Sequence, residues 1–167
     1  MESLFTSNRL SFKEFTLEDA PLIYELNSDP EVTKYLHEPF TTLQKAKEVL
    51  AEIILPQYQL YNHGRWSVHL AENNNFIGWC GLKFRAEKNE VDLGYRFMKK
   101  YWGIGYATEA GKRCLEFGFQ TLKMKEIFAA AHTENLASQR VLIKLGFQYK
   151  DKEVVDDEPA YTYLIHP

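Results

Sequence analysis

The sequence predicts an α/β (α+β) fold in which a mixed, mostly antiparallel sheet of about seven strands is flanked by four helices. Two observations support this class. Apolar residues recur at every second position in some segments and at every third or fourth position in others, and the two kinds of segment alternate along the chain. The chain has 167 residues, 45% of them hydrophobic, so we expect residues 1–167 to form a single domain with one core.

The first elements are defined by capping patterns. Residues 9–15 alternate between polar and apolar and predict a strand, and the Thr-x-x-Asp pattern of residues 16–19 predicts the start of a short helix. A second capping pattern, Thr41-x-x-Gln44, predicts a longer helix that ends at Pro56.

The rest of the chain completes the order β-α-α-β-β-β-α-β-α-β-β. Three strands over 66–70, 76–84 and 91–97 are expected to form an antiparallel meander. They are followed by a helix, a strand, a helix and a final hairpin, over 107–122, 127–132, 136–145 and 147–165.

Composition excludes several classes of protein. Twenty Lys and Arg against 23 Asp and Glu give a net charge of −3, the opposite sign to that of most nucleic-acid binders. No segment approaches the ~18 apolar residues that span a bilayer, and the N-terminus lacks the features of a signal peptide. We therefore expect a cytoplasmic protein with no nucleic-acid or membrane partner. Cys80 and Cys114 lie in apolar segments and predict buried free thiols, with no disulfide and no metal site.

The segment over residues 97–110 carries the clearest chemical signal. A strand ends, a loop with Gly103 and Gly105 follows, and a long helix begins at once. Consecutive backbone N–H groups in such a loop can bind phosphate oxygens, and glycine lets the ligand approach the backbone. The common dinucleotide motif fails because Thr108 stands where its last glycine is needed. Taken alone, the loop fits a plain strand-to-helix turn equally well.

Further motifs occur in order around this loop. They are Arg9-Leu10, Leu93-Gly94-Tyr95, Trp102-Gly103-Ile104-Gly105-Tyr106-Ala107-Thr108-Glu109-Ala110, Asn135-x-x-Ser138 and Lys144-Leu145-Gly146-Phe147. With them the whole chain resembles the GNAT superfamily of acetyl-CoA-dependent N-acetyltransferases, and it is most similar to the RimJ/RimL type, which acetylates N-terminal amines of ribosomal proteins. The resemblance implies the GNAT fold, acetyl-CoA (coenzyme A) as co-substrate, no metal, an amine acceptor, and a homodimer as one oligomeric state.

The resemblance also implies a cofactor site. The family's pyrophosphate signature, Gln/Arg-x-x-Gly-x-Gly/Ala, falls on Trp102, Gly105 and Ala107, with Trp in place of the usual first residue. In the family the strand before the loop is distorted near the position of Gly94 and diverges from the next strand, and the pantetheine arm lies in the gap. The expected cofactor-binding residues are Arg96, Phe97, Met98, Trp102, Gly103, Ile104, Gly105, Tyr106, Ala107, Thr108, Asn135 and Ser138.

Direct acetyl transfer to an amine needs a base and a hydrogen-bond donor for the oxyanion. By the resemblance, Asp92 is the first choice for the base, and an exposed strand carboxylate is an equally good interpretation of it. Glu134 and His132 are the second choices. The backbone N–H of Phe97 or Met98 is the expected oxyanion donor.

The leaving thiolate also needs an acid. The tyrosine that many family members use for this falls on Leu142, so Ser138 is expected to replace it. The loss of that tyrosine leaves a second function open: a catalytically silent module of the same fold that binds acyl-CoA or regulates.

The acceptor is expected to enter beside the N-terminal helices and the final hairpin. Acidic residues there either form a solvated face or favour a cationic acceptor: Glu18, Asp19, Glu25, Asp29, Glu31, Glu38, Asp156, Asp157 and Glu158. Four aromatic residues either line the pocket or belong to the core: Tyr24, Tyr35, Phe40 and Tyr58.

Overall fold

The structure is a computed structural model that describes residues 2–37 and 42–167. It confirms the predicted class, with one mixed sheet of eight strands. The strands are β1 Phe5–Thr6, β2 Leu10–Lys13, β3 Arg65–Leu70, β4 Phe76–Arg85, β5 Glu90–Phe97, β6 Ile127–His132, β7 Gln148–Val155 and β8 Glu158–Ile165. The additional strand is β1, whose two residues are too few for an alternating pattern to be visible in the sequence.

The helices are α1 Ala20–Asn27, α2 Leu43–Val49, α3 Leu55–Tyr61, α4 Tyr106–Glu116 and α5 Leu136–Leu145. A π-helical turn over Leu50–Ile54 joins α2 to α3 without a break, so the two count as one of the four predicted helices. Another π turn, Phe117–Thr121, extends α4. Within the described ranges, none of these helices has the length and hydrophobicity required to cross a membrane.

The long N-terminal helix differs from its prediction at both ends. Its cap is Thr42, whose side chain accepts a hydrogen bond from the Lys45 backbone N–H at 3.1 Å, and Thr41 lies outside the described residues. The helix does not end at Pro56 and continues to Tyr61. The reason is the π turn, in which the Leu55 N–H donates to the Leu50 carbonyl five residues back. This wider turn accommodates a proline ring that would clash in a regular helix.

The sheet has the order β1-β2-β3-β4-β5-β6-β8-β7, and all neighbours are antiparallel except β5 and β6. The predicted meander of β3, β4 and β5 is confirmed. The parallel strands β5 and β6 pair at only two positions, Asp92 with Phe128 and Leu93 with Ala129. Beyond these positions residues 94–97 and 130–132 are not paired with each other, so the sheet is open between the two strands.

Strand β5 itself is regular, which corrects the expectation of a distortion near Gly94. It pairs with β4 from Gly78–Phe97 to Arg85–Glu90 without a register shift. Gly94 is required for another reason: a Cβ there would lie 2.7 Å from the guanidinium carbon of Arg65. The opening in the sheet therefore comes from the divergence of β6 and not from a bulge in β5.

The two faces of the sheet carry different residues. Leu93 and Phe97 of β5 are buried in the main core, on the side covered by α4 and α5. Because side chains alternate along a strand, Asp92 and Arg96 lie on the opposite side, where α1 packs. We call this side the front face.

The two cysteines meet in the main core. Cys80 on β4 and Cys114 on α4 are both buried, and their Sγ atoms are 3.6 Å apart. The prediction of buried free thiols is confirmed. Burial, reinforced by the neighbouring thiol, raises the pKa of Cys114, which makes its thiol a poor nucleophile.

Candidate active site

The glycine loop leaves backbone donors free at the start of α4. Gly103 and Gly105 have φ values of +73° and +89°, in the left-handed region that favours glycine. Gly105 is the N-cap of α4, and no side chain caps the helix. The N–H groups of the first turn, over residues 106–108, therefore have no acceptor within the helix. Residues 102–105 are exposed, so these donors can reach a phosphate group from solvent.

A carboxylate fixes this loop to the N-terminal strands. Glu109 Oε1 accepts hydrogen bonds from the Ser7 hydroxyl and the Arg9 backbone N–H, both at 2.7 Å, and its Oε2 accepts from Arg9 Nε at 2.7 Å. Arg9 also donates to the Ile104 carbonyl and stacks on Tyr106, 4.4 Å from the ring centroid. Burial acts to raise the pKa of Glu109, and these hydrogen bonds outweigh it and lower the pKa. The Arg9-Leu10 motif and the glycine-loop motif are both visible in the sequence, but the contact between them is not.

The side chain of Trp102 holds the end of β5. Its indole Nε1 donates to the Phe97 carbonyl at 2.7 Å. The Met98 N–H already donates to the Ile77 carbonyl at 2.9 Å, so it is not a free oxyanion donor. Since N–H groups alternate in direction along a strand, the Phe97 N–H points away from β4 towards the opening. Of the two expected donors, Phe97 is the one whose geometry fits.

A cavity of about 220 Å³ occupies the opening between β5 and β6. Front-face side chains and residues of the final hairpin line one end, and side chains from the α5 side line the other. The lining residues that carry titratable or hydrogen-bonding side chains include His37, Arg65, Arg85, Asp92, Tyr95, Arg96, His132, Ser138, Asp156 and Glu158. The cavity therefore connects the two faces of the sheet.

The structure places Asp92 between two arginines. Its carboxylate is buried and pairs with Arg65 Nη2 at 2.7 Å and with Arg85 Nε at 2.5 Å. Arg85 in turn binds Asp156 through two hydrogen bonds of 3.0 and 3.1 Å. Burial acts to raise the pKa of Asp92, and the two guanidiniums outweigh it and hold the pKa below its usual value. Such a carboxylate is a weak base, and this geometry favours a positioning role.

His132 and Glu158 face each other across the cavity wall. Their Nε2 and Oε2 atoms are 3.3 Å apart, and His132 Nδ1 accepts a hydrogen bond from the Glu134 backbone N–H at 3.1 Å. Glu158 Oε1 also lies 3.7 Å from His37 Nδ1. The Glu134 residue is exposed and offers only its backbone here. Of the described carboxylates that line the cavity, Glu158 is the one with neither oxygen bound to an arginine.

Asn135 and Ser138 lie at the start of α5. Asn135 Oδ1 caps the helix by accepting the Ser138 N–H at 3.1 Å. The Ser138 hydroxyl is 2.9 Å from the phenol oxygen of Tyr95, which also donates to the Ser138 carbonyl at 3.1 Å. Burial raises the pKa of Tyr95, so its phenol stays protonated at neutral pH. Leu142 is buried in the core. The contact of Tyr95 with Ser138 could not be predicted from the sequence, because the expected tyrosine position is on α5, whereas Tyr95 comes from β5.

The side chain of Arg96 turns away from the cofactor loop. It donates to Asn27 Oδ1 on α1 at 2.5 Å and stacks on Trp79, 5.2 Å from the ring. Burial, with the nearby positive charge of Arg65, lowers the pKa of Arg96 to about 10. Its guanidinium is therefore held at the front-face end of the cavity, where Arg96 is one of the lining residues.

Only some of the remaining acceptor-side candidates line the cavity in the structure. Of the acidic group, Asp156 and Glu158 line the cavity, and Glu38 lies outside the described residues, as does Phe40. Tyr35 also lines the cavity, whereas the Tyr58 hydroxyl is bonded within the fold to the Arg65 carbonyl. Within residues 2–37 and 42–167 no cluster of three or more His, Cys, Asp or Glu side chains is arranged to hold a metal ion.

Comparison with known proteins agrees with this geometry. A family model described as an acetyltransferase (GNAT) domain matches residues 9–148. The chain belongs to the GNAT acetyltransferase family. This acetyltransferase is 34% identical to the uncharacterized N-acetyltransferase p20 of Bacillus licheniformis over 167 residues, which are 99% of this chain and 92% of p20.

Solved structures agree with the fold of the acetyltransferase. A GNAT-family acetyltransferase from Bacillus anthracis superposes with a TM-score of 0.80 at 25% identity and covers 96% of both chains. The spermidine N-acetyltransferase of Vibrio cholerae, solved with CoA and spermine, has a TM-score of 0.78 at 18% identity and also covers 96% of both chains. At that identity the second likeness shows the fold alone.

Proposed function

We propose that this acetyltransferase moves an acetyl group from acetyl-CoA to a primary amine, on a protein N-terminus or a small molecule, by direct attack. The observation that carries the proposal is the cavity through the sheet. It joins the α5 side, where Ser138 lines it, to the front face, where charged groups can bind an acceptor. Two substrates that approach from opposite faces can meet in such an opening.

The chain's residues fit acetyl-CoA in the proposed site. Backbone N–H groups of Gly103–Thr108 would hold the pyrophosphate, and the unpaired edges of β5 and β6 would flank the pantetheine arm. Asn135 and Ser138, at the start of α5, would contact that arm. Bound there, acetyl-CoA supplies an activated acetyl thioester.

The proton transfers are assigned to residues of the cavity. Glu158, oriented by His132, takes the proton of the acceptor amine, because Asp92 is neutralised by Arg65 and Arg85. The Phe97 N–H is the oxyanion donor. The Ser138 hydroxyl, held by Tyr95, donates to the leaving sulfur.

The domain extent, subfamily, location and oligomeric state of the protein belong to the same proposal. We infer a single domain over residues 1–167, of the RimJ/RimL type, that acts in the cytoplasm and can form a homodimer. The alternative is a silent acyl-CoA-binding module of the same fold, which Leu142 favours because it replaces the tyrosine that serves many relatives as acid.

Calorimetric titration with acetyl-CoA, with ATP and NAD as controls, tests the cofactor. We expect micromolar binding of acetyl-CoA alone, and no binding would reject the proposed site. Release of free thiol in the presence of an amine panel then separates the enzyme from the silent module, since the module binds acetyl-CoA but releases no thiol.

A further inference from the structure

The charges that line the cavity do not all cancel one another. Arg65 and Arg85 are neutralised by Asp92 and Asp156 through a connected set of ion pairs. Among the described residues that line the cavity, Arg96 and Glu158 are then the two charged groups that form no ion pair with a permanently ionised partner.

Arg96 is the unusual member of this set. No carboxylate of residues 2–37 and 42–167 forms an ion pair with it, and its hydrogen-bond partner is the neutral amide oxygen of Asn27. Burying a guanidinium without a counter-ion is unfavourable, so this arrangement is typical of a site where an anion binds. Stacking on Trp79 and the bond to Asn27 fix the side chain in position before any ligand arrives.

The two uncompensated charges flank the opening from opposite sides. Arg96 and His132 each lie three residues beyond the last paired positions, Leu93 and Ala129, and both belong to the front face. They therefore stand at the same height on the two diverging strands. Glu158 extends the β6 side with a negative charge, and Arg96 gives the β5 side a positive charge.

We propose that Arg96 binds a carboxylate of the acceptor, so that the acceptor is a small amine that also carries an acid group. The amine would lie towards Glu158 and the carboxylate towards Arg96, where the guanidinium can offer two N–H donors to two oxygens. This inference rests on the proposed function, because it names the acceptor of the same site.

Size and charge favour such an acceptor over a polyamine. A cavity of about 220 Å³ is slightly smaller than the roughly 300–1,000 Å³ of typical ligand pockets, which suits a small molecule. A polycation would meet Arg96 and the Arg65 guanidinium next to it on the Trp79 ring. The front face thus argues against a cationic acceptor, which is one of the two interpretations that the acidic residues of the sequence allow.

The test compares α-amino acids with the amines that lack only their carboxylate, as a panel of matched pairs in the thiol-release assay. We expect turnover of at least one amino acid and at least tenfold lower kcat/KM for its decarboxylated partner. In the Arg96→Met variant, KM for the amino acid should rise about 10- to 100-fold, while the affinity for acetyl-CoA stays the same. Arg96→Lys should recover part of the loss. Arg113→Met, on the far side of the sheet, is the control and should leave KM unchanged.

A binding experiment keeps this inference separate from the proposed function. The same amino acids are titrated into the protein with and without CoA, and the fluorescence of Trp79 beside Arg96 reports occupancy. Saturable binding of amino acids that Arg96→Met abolishes supports the carboxylate site even if no acetyl-CoA binding or thiol release is found. Equal or better binding of the decarboxylated amines, binding that Arg96→Met leaves intact, or no binding in either assay would overturn it.

Discussion

Replacement of Asp92 by Asn distinguishes a positioning residue from a catalytic base. The Asp92 side chain is 9% exposed and bridges Arg65 and Arg85, whose side chains are only 12% and 13% exposed. Removal of one member of a buried ion pair leaves the others uncompensated and typically costs about 3–5 kcal/mol. For a chain of this length, that corresponds to a fall in Tm of roughly 10 °C. Asp157→Asn, at an 81% exposed side chain, is the matched control, for which we expect a change of less than about 0.5 kcal/mol.

The pH dependence gives a second readout of the same variant. Because the folded-state pKa of Asp92 is below its unfolded value, its ionised form stabilises the fold above the unfolded pKa, about 3.9. That contribution is lost as the pH falls through the lowered pKa of the folded state. Urea unfolding should therefore show a large gap between wild type and Asp92→Asn at pH 7 that narrows below about pH 4. A variant as stable as wild type, with a rate loss at neutral pH that disappears at high pH, would refute this account and make Asp92 the base.

Three further predictions concern the cofactor loop and the proton transfers. Gly105→Ala and Gly146→Ala, at φ values of +89° and +96°, should each cost about 1–2 kcal/mol, yet calorimetry should show weaker acetyl-CoA binding only for the first. Tyr95→Phe should lower kcat about tenfold with acetyl-CoA affinity unchanged, and combining it with Ser138→Ala should add little if the two hydroxyls act together. Glu158→Gln should lower the rate of thiol release more at neutral pH than at high pH, where the amine is already neutral, and a uniform loss across pH would remove Glu158 as the base.

Much of the fold could be predicted because hydrophobic periodicity is a local property. The spacing of apolar residues predicts the meander of β3–β5, the helix α5 and the α/β fold class. The continuation of the long helix past Pro56 to Tyr61 could not be predicted, because the π turn that accommodates the proline ring depends on packing against the rest of the fold. The reason for Gly94 is equally non-local, since it lies in the position of the Arg65 side chain, which comes from β3, two strands away in the sheet.

In the candidate site, too, the features that are local in sequence could be predicted and those that depend on distant segments could not. The glycine loop with Gly103 and Gly105 is one continuous segment, and its left-handed backbone follows from residue type. The environments of Asp92 and Arg96 come from side chains of other strands and of α1. Sequence patterns therefore do not reveal that the carboxylate is doubly paired, or that the guanidinium forms no ion pair within the part of the chain that the structure describes. Glu158 meets His132 only through the pairing of β6 with β8, which the order of elements does not determine.

The central claim is that the acetyl group passes directly from acetyl-CoA to an amine in the opening between β5 and β6. The most direct measurement quantifies free thiol and acetylated amine in one reaction, together with the mass of the protein after acetyl-CoA alone. We predict equal amounts of thiol and acetylated amine, and a protein mass that does not change. Tight binding of acetyl-CoA without thiol release for any amine would contradict the claim and identify a silent module, and an acetylated protein that passes its acetyl group to the amine would contradict direct transfer.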